Sequence, residues 1–160
     1  MFQNPTPTEI RDLLKAVKTI AVVGLSDNPA RPSYGVAKAM QGLGYRIIPV
    51  RPAQSEVLGE KAYAQLTDLP HANIAPDLVD VFRNPDAVDE IVDQCIAIGA
   101  KRLWLQEGVV NEPAAHRARA AGITVIMDRC VWKDAMLLPP APLPAEGGDG
   151  GSPPRGSGAS

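Results

Sequence analysis

The sequence predicts an α/β protein with one doubly wound, mostly parallel sheet of about five strands and helices on both faces. Short β-branched runs alternate along the chain with longer amphipathic runs. Several of the short runs are apolar on both faces, which is typical of strands in a parallel sheet that helices cover on each side. The 160 residues have room for about one such domain.

The chain opens with a predicted helix and a predicted strand. An amphipathic run from Thr8 to Val17 predicts the helix, with Thr8 as its N-cap and Glu9 in its first turn. The apolar run from Thr19 to Gly24 predicts the first strand of the sheet.

The remaining elements continue the alternation. Helices are predicted at 33–42, 85–98 and 111–121, and strands at 45–50, 78–82, 102–105 and 123–127. Gly44, Gly99 and Gly122 each follow a predicted helix, where a left-handed residue commonly ends the helix before the next strand. The segment from Glu56 to Pro70 breaks the alternation, and we expect at most a short strand there, near Lys61 to Tyr63. Right-handed crossovers leave few topologies other than the doubly wound sheet.

The end of the chain differs from the rest in composition. Of the 22 residues from Pro139 to Ser160, 6 are proline and 6 are glycine. Such a segment buries too little apolar surface to offset the entropy lost on ordering. We therefore expect a folded domain at 1–138 and a disordered tail at 139–160.

Composition and charge exclude several classes of function. The 16 basic and 18 acidic residues give a net charge of −2, so no broad basic field is available for non-specific nucleic-acid binding. No apolar run approaches the roughly 18 residues of a membrane span, and no export signal is visible. Two cysteines, Cys95 and Cys130, cannot alone form a disulfide framework or a four-cysteine zinc site. We expect a cytoplasmic protein without a metal site. Any anionic ligand would have to be bound by a local cluster of residues.

The residues that directly follow each strand are the candidates for a ligand site, because doubly wound folds bind ligands at the carboxyl ends of their strands. The first such loop runs from Gly24 into the helix for which Ser33 is the expected N-cap. Backbone N–H groups at that helix start, together with Arg31, would form a compact anion site. The loop keeps only Gly24 of the G-x-G-x-x-G pattern and is several residues too long, which argues against NAD.

The second strand ends at Arg51, where an NAD site would carry an acidic residue for the ribose hydroxyls. An arginine suits a phosphate on the ribose instead. NADP and coenzyme A both carry such a phosphate beside a pyrophosphate, so both ligands remain open at this point.

The third of the five strands ends at Phe82 and Arg83. Phe82 lines an adenine or pantetheine slot in one interpretation and belongs to the core in the other. Arg83 is placed to face phosphates. The fourth strand brings Gln106 and Glu107 to the mouth of the same site.

The fifth strand leads to Cys130, a candidate nucleophile. Thiol catalysis needs a base, and the two histidines are poorly placed to serve as one. His116 lies within a predicted helix and His71 lies in the irregular segment. Cys95, among apolar residues of a predicted helix, is expected to be a small core residue.

Five segments together resemble a known family, the small stand-alone CoA-binding proteins, which are similar to the N-terminal domain of the succinyl-CoA synthetase α subunit. The segments are DNPARPSYGV, IIPVRP, VDVFRN, IGAKRLWLQEGVVNE and AGITVIMDRC. The resemblance covers about residues 8–134, which is all of the chain but the tail.

The resemblance implies a Rossmann-like domain that binds coenzyme A, or an acyl-CoA, with the pyrophosphate at the first turn and the adenosine near the end of the second strand. The phosphate-binding positions that it implies are Gly24, Ser26, Asn28, Arg31, Ser33 and Tyr34. The adenosine positions are Val50, Arg51 and Pro52, the next wall is Phe82 and Arg83, and the pantetheine side is Gln106 and Gly108. The family often has Asn or Ser where Arg51 stands, so a role for Arg51 toward the 3′-phosphate is inferred from its charge. The synthetase's phosphorylated histidine belongs to a second domain, so ligase chemistry is not implied.

Three classes of function remain open. The first is a binding module that holds CoA or an acyl-CoA and catalyses no reaction. The second is an enzyme, either an NADP-dependent reductase or an acyl-CoA-processing enzyme that uses Cys130, Asp128 or Glu107. The third is a subunit that supplies a CoA site to another chain, and a homodimer or an unknown protein partner is possible. We expect the first, because the anion-binding loop comes without a general-base pair.

Overall fold

The computed structural model describes residues 1–139 and contains a five-stranded parallel sheet with helices on both faces, which confirms the predicted fold. The strands are β1 (Thr19–Val23), β2 (Arg46–Val50), β3 (Glu56–Val57), β4 (Glu60–Lys61), β5 (Leu78–Val81), β6 (Arg102–Leu105) and β7 (Thr124–Met127). The helices are α1 (Pro7–Ala16), α2 (Pro32–Gly42), α3 (Val88–Ile98), α4 (Glu112–Ala120) and α5 (Val131–Ala135). The predicted tail, 139–160, lies outside the described residues except for Pro139.

The strand order of the large sheet is β2-β1-β5-β6-β7, and all neighbours are parallel. Strand β1 leads through α2 outward to β2, whereas β5 leads through α3 in the opposite direction to β6. The connections therefore diverge between β1 and β5, and this point of divergence opens a crevice at the carboxyl ends of the two strands.

Two apolar cores lie on the two faces of the sheet. Helices α1, α2 and α5 cover one face, where Trp104 is fully buried. Helices α3 and α4 cover the other face. Every residue of β5 is buried, as expected for a central strand that is covered on both sides. None of the helices in the described part of the chain combines the length and the apolar character that crossing a bilayer requires.

The prediction of Thr8 as the first N-cap is wrong, because α1 begins two residues earlier. Its N-cap is Thr6, whose Oγ1 accepts from the Glu9 backbone N–H at 3.2 Å. The Glu9 carboxylate in turn accepts from the Thr6 N–H at 2.8 Å, which completes a capping box. Pro7 then occupies the first turn, where its missing N–H and fixed φ are tolerated.

The irregular segment adds a short hairpin, β3–β4, to the edge of the molecule. Beyond it the backbone of Tyr63 runs parallel to the end of β2, with a bridge to Val50. The Tyr63 N–H donates to the Pro49 carbonyl at 3.0 Å, and its own carbonyl accepts from the Arg51 N–H at 2.7 Å. A short strand near Lys61 is therefore confirmed, but the expectation of at most one strand in this segment is wrong, because β3 pairs with β4.

Candidate functional site

A cavity of about 900 Å³ lies at the carboxyl edge of the sheet. Residues that follow each of the five strands of the sheet line it, as the topology predicts. Ten of the thirteen predicted site residues are among them: Gly24, Ser26, Arg31, Ser33, Val50, Arg51, Pro52, Phe82, Arg83 and Gln106.

The other three predicted residues, Asn28, Tyr34 and Gly108, do not line the cavity. Asn28 holds its own loop, since its Oδ1 accepts from the Ala30 N–H at 2.9 Å. Tyr34 packs against the core on the side of α1, α2 and α5. Gly108 belongs to a turn at φ +83°, and its N–H donates to Asp128 Oδ1 at 2.8 Å.

Gly24 begins the loop that leads from β1 to α2. Its N–H donates to the Val50 carbonyl at 2.8 Å, and its φ is +86°. A Cβ at this position would overlap the backbone carbonyl oxygen of Phe82 and would press on the Arg83 side chain. Only glycine therefore lets the ends of β1 and β5 approach this closely at the floor of the cavity.

Two buried serines organise the same loop. The prediction of Ser33 as the N-cap of α2 is wrong, because Arg31 is the N-cap and Ser33 lies in the first turn. The Ser33 Oγ accepts from the Ser26 N–H at 3.0 Å, and the Ser26 Oγ accepts from the Asn28 N–H at 3.0 Å. Since each hydroxyl acts as an acceptor in these bonds, its proton stays available to a ligand. The Ser33 N–H, in the first turn of α2, has no acceptor within residues 1–139 and is available to an anion.

Three arginines line the cavity, one after each of three neighbouring strands. Arg51 follows β2, Arg31 lies in the loop after β1, and Arg83 follows β5. Within residues 1–139 none of the three forms an ion pair, whereas Arg117 and Arg129 are each held by aspartates. Unpaired guanidinium groups around one cavity form a local cluster that suits a ligand with several negative charges.

The other end of the cavity, after β6 and β7, is less charged. The Gln106 Oε1 accepts from the Val131 N–H at 3.1 Å, and Cys130 lines the wall nearby. Glu107 is also present, but the Lys133 ammonium pairs with it at 3.0 Å. This ion pair raises the pKa of Lys133.

Groups for acid–base or metal chemistry are sparse at the cavity. Neither His71 nor His116 lines it, and the His116 ring packs edge-on against Phe2 with 5.9 Å between the ring centroids. Within residues 1–139 no three His, Cys, Asp or Glu side chains cluster in a way that holds a metal ion. Cys95 is buried in the core as predicted, and its burial raises the pKa of the thiol to about 12.

Sequence reasoning missed one part of the cavity wall, which the irregular segment and α3 form. Ala64 and Gln65, from the irregular segment, line the cavity together with Ile91 and Gln94 of α3. The Gln94 Oε1 accepts from the Leu66 N–H at 2.9 Å and ties this segment to α3. The i, i+3 spacing of Ile91 and Gln94 is the one sequence signal that shows which residues of α3 share a face.

Comparisons with known proteins place the chain among close relatives. A family model described as "CoA binding domain" matches residues 18–135. The uncharacterized protein YneT of Bacillus subtilis (strain 168) is 43% identical over 130 residues, which are 81% of this chain and 94% of YneT. The solved structure of a hypothetical protein from Pyrococcus horikoshii OT3 is 34% identical with a TM-score of 0.78, over 85% of this chain and 96% of that one.

A larger enzyme shares the fold. The dinucleotide-forming acetyl-coenzyme A synthetase 1 of Ca. Korarchaeum cryptofilum matches with a TM-score of 0.60 at 23% identity. The match covers 71% of this chain and 27% of the synthetase. At this identity the likeness concerns the fold alone.

Proposed function

Because the chain belongs to the CoA binding domain family, we propose that it binds coenzyme A or an acyl-CoA in the cavity and catalyses no reaction itself. The observation that carries the proposal is the set of three arginines, Arg31, Arg51 and Arg83, that line one cavity at the strand ends and form no ion pair within residues 1–139. Coenzyme A presents a pyrophosphate and a 3′-phosphate, and so provides several anionic groups for these cations.

The distribution of charge along the cavity supports one orientation of the ligand. The arginines follow β2, β1 and β5, whereas the wall after β6 and β7 offers Gln106, Val109 and Cys130. Charge is distributed along coenzyme A in a matching way, because its phosphates lie at the adenosine end and its pantetheine arm is uncharged. We therefore place the adenosine toward β2 and the thiol or thioester toward β7.

Individual roles follow from this orientation. Ser26, Ser33 and Arg31 bind the pyrophosphate with their hydroxyl, N–H and guanidinium donors. Arg51 binds the 3′-phosphate, with Val50 and Pro52 beside the adenosine. Phe82 and Arg83 form the next wall, and Phe82 also packs against the core. Gln106 faces the pantetheine arm.

The absence of catalysis is proposed from the lining of the cavity. The two histidines of the chain do not line the cavity, and its acidic lining residues are Glu90 of α3 and Glu107, of which Glu107 is paired with Lys133. The cavity thus presents mainly donors that bind anions, and no histidine lines it to act as a general base. We also place the protein in the cytoplasm, because both of its cysteines are free thiols, as is usual in a reducing compartment.

A ligand panel tests the proposal. A ligand that binds only the folded state raises the melting temperature of the chain. Coenzyme A and acetyl-CoA are expected to raise it most, dephospho-CoA less, and NADPH and NADH least. Acetyl-CoA recovered after prolonged incubation with the protein is expected to be as intact as acetyl-CoA kept in buffer. Stabilisation by NADPH alone would show that the ligand is NADPH and not CoA. Loss of the acetyl group would show that the protein is an enzyme.

A further inference from the structure

The thiol of Cys130 has no role in the proposed binding of the phosphates, yet it lines the same cavity. Arg51 and Cys130 follow β2 and β7, which are the two edge strands of the large sheet. Four inter-strand spacings of about 4.8 Å put the two ends of the site about 19 Å apart along the sheet. An elongated ligand whose 3′-phosphate lies at Arg51 therefore extends toward Cys130 with its other end.

Gln106 offers a hydrogen-bond donor at this end of the cavity. Its side chain is only 5% exposed and lines the cavity. Its Oε1 is held by the Val131 N–H, so the direction of the carboxamide is set, and its Nε2 has no acceptor within residues 1–139. An amide N–H without a protein acceptor is free to donate to a ligand or to water. The amide carbonyls of a pantetheine arm are acceptors of this kind.

Cys130, which is 7% exposed, lies between two cavities. A second cavity of about 180 Å³ adjoins the first, and Cys130 and Glu107 line both. Its charged lining consists of two cations, Arg129 and Lys133, and three carboxylates, Glu107, Asp128 and Asp134. Arg129 is ion-paired with Asp134 and Lys133 with Glu107.

We propose that Cys130 forms a mixed disulfide with coenzyme A when the ligand arrives as CoA disulfide. This inference rests on the proposed binding of CoA and adds a covalent, redox-dependent state of the same site. The protein then holds CoA reversibly when it is supplied as thiol or thioester, and covalently when it is supplied as the disulfide.

The step balances without any further oxidant. The Cys130 thiolate attacks one sulfur of CoA disulfide, a bond forms between that sulfur and Cys130 Sγ, and the original S–S bond breaks. The second CoA leaves as a thiolate and takes a proton from water. Cys130 is oxidised and one half of CoA disulfide is reduced. A reducing thiol reverses the reaction by the same exchange.

Intact mass spectrometry of the full chain tests the inference. The reduced protein is freed of reductant and incubated with CoA disulfide, or with an equal concentration of pantethine, which has the same sulfur chemistry but no nucleotide. We expect a mass increase of one CoA less two hydrogen atoms, at least about tenfold faster than the reaction with pantethine, because the bound nucleotide positions the disulfide. Excess desulfo-CoA, which lacks sulfur, is expected to slow the reaction.

Two variants and one mapping experiment locate the adduct. Cys130→Ser is expected to abolish it, and its melting curve shows whether the variant folds. Cys95→Ala is expected to react like the wild type, because Cys95 is fully buried and lies away from the cavity. Peptide mapping of the wild-type adduct identifies the modified cysteine even if a variant does not fold.

The outcomes separate the two proposals. If desulfo-CoA binds the reduced protein but CoA disulfide adds no mass, adds it to Cys95, or reacts no faster than pantethine, the role of Cys130 is refuted and CoA binding stands. If desulfo-CoA does not bind, the proposed function fails and the disulfide fails with it.

Discussion

The backbone of Gly24 lies against the carbonyl oxygen of Phe82, so closely that a methyl group on Gly24 would overlap this oxygen. The contact joins the ends of β1 and β5, the two strands between which the chain connections diverge. It therefore limits the width of the crevice in which the loop after β1 and Arg83 meet.

Gly24→Ala tests this contact. Alanine at positive φ costs about 1 to 2 kcal/mol of folding free energy, and the overlap with Phe82 adds to that cost. Gly59→Ala is the matched control, because Gly59 has a φ of +77° and open space around its Cβ position. Chemical denaturation should show a larger loss of stability for Gly24→Ala than for Gly59→Ala, and CoA affinity should fall only for the former. Equal losses would mean that the close approach has no energetic consequence.

Arg31→Ala should weaken CoA binding by about 1.5 to 3 kcal/mol, the scale of a lost charge-assisted hydrogen bond. That loss corresponds to roughly a 10- to 150-fold higher Kd in calorimetric titration. Arg46→Ala is the control, because Arg46 pairs with Glu60 at 3.9 Å and lies outside the cavity. An unchanged Kd for Arg31→Ala would show that Arg31 does not bind CoA.

Arg51→Ala should reduce the preference of the site for CoA over dephospho-CoA. If Arg51 binds the 3′-phosphate, its loss weakens CoA binding but leaves dephospho-CoA binding almost unaltered, so the ratio of the two Kd values approaches one. Arg83→Ala is expected to weaken both ligands to a similar extent, since both carry the pyrophosphate. A ratio that Arg51→Ala does not alter would show that Arg51 does not bind the 3′-phosphate.

Asp80 introduces a pH dependence into the stability of the fold. The carboxyl lies in the middle of β5, and its Oδ1 has no hydrogen-bond partner in the described part of the chain. Burial raises the pKa of Asp80 well above its usual range, although the Val81 N–H acts in the opposite direction. A carboxyl with a raised folded pKa stabilises the fold fully below its unfolded pKa of about 3.9, and this contribution is lost as the pH rises toward the folded pKa.

Asp80→Asn should therefore be more stable than the wild type at about pH 8 and nearly equal to it at about pH 4, because the amide stays neutral throughout. Denaturation of both proteins across this range measures the difference. Other titrating groups act equally on both proteins and cancel. A difference that does not vary with pH would show that Asp80 does not titrate differently in the folded and unfolded states.

Much of the fold and the floor of the site could be predicted from the sequence, for a simple geometric reason. The carboxyl ends of parallel strands share one edge, so Gly24, Arg51, Arg83 and Gln106 come together once the strands are identified. The T-x-x-E spacing of the capping box is also present in the sequence, from Thr6 to Glu9, and it marks the start of α1.

Features that depend on tertiary contacts were not predictable in this way. Ala64 and Gln65 reach the cavity because the Tyr63 backbone pairs with the end of β2, and no periodicity signals such a bridge. Tyr34 follows Ser33 directly, but one step along a helix turns a side chain by about 100°, and the partly buried Tyr34 packs against the core instead of lining the cavity. The five residues of α5 are too few for a helical period to stand out.

Calorimetric titration of the purified full chain with CoA and with NADPH, in one buffer containing reductant, measures whether the cavity binds CoA. We predict saturable binding of CoA at one site per chain, with no comparable heat from NADPH. Binding of NADPH in preference to CoA, or no binding of CoA at all, would contradict the assignment of the arginine-lined cavity as a CoA site.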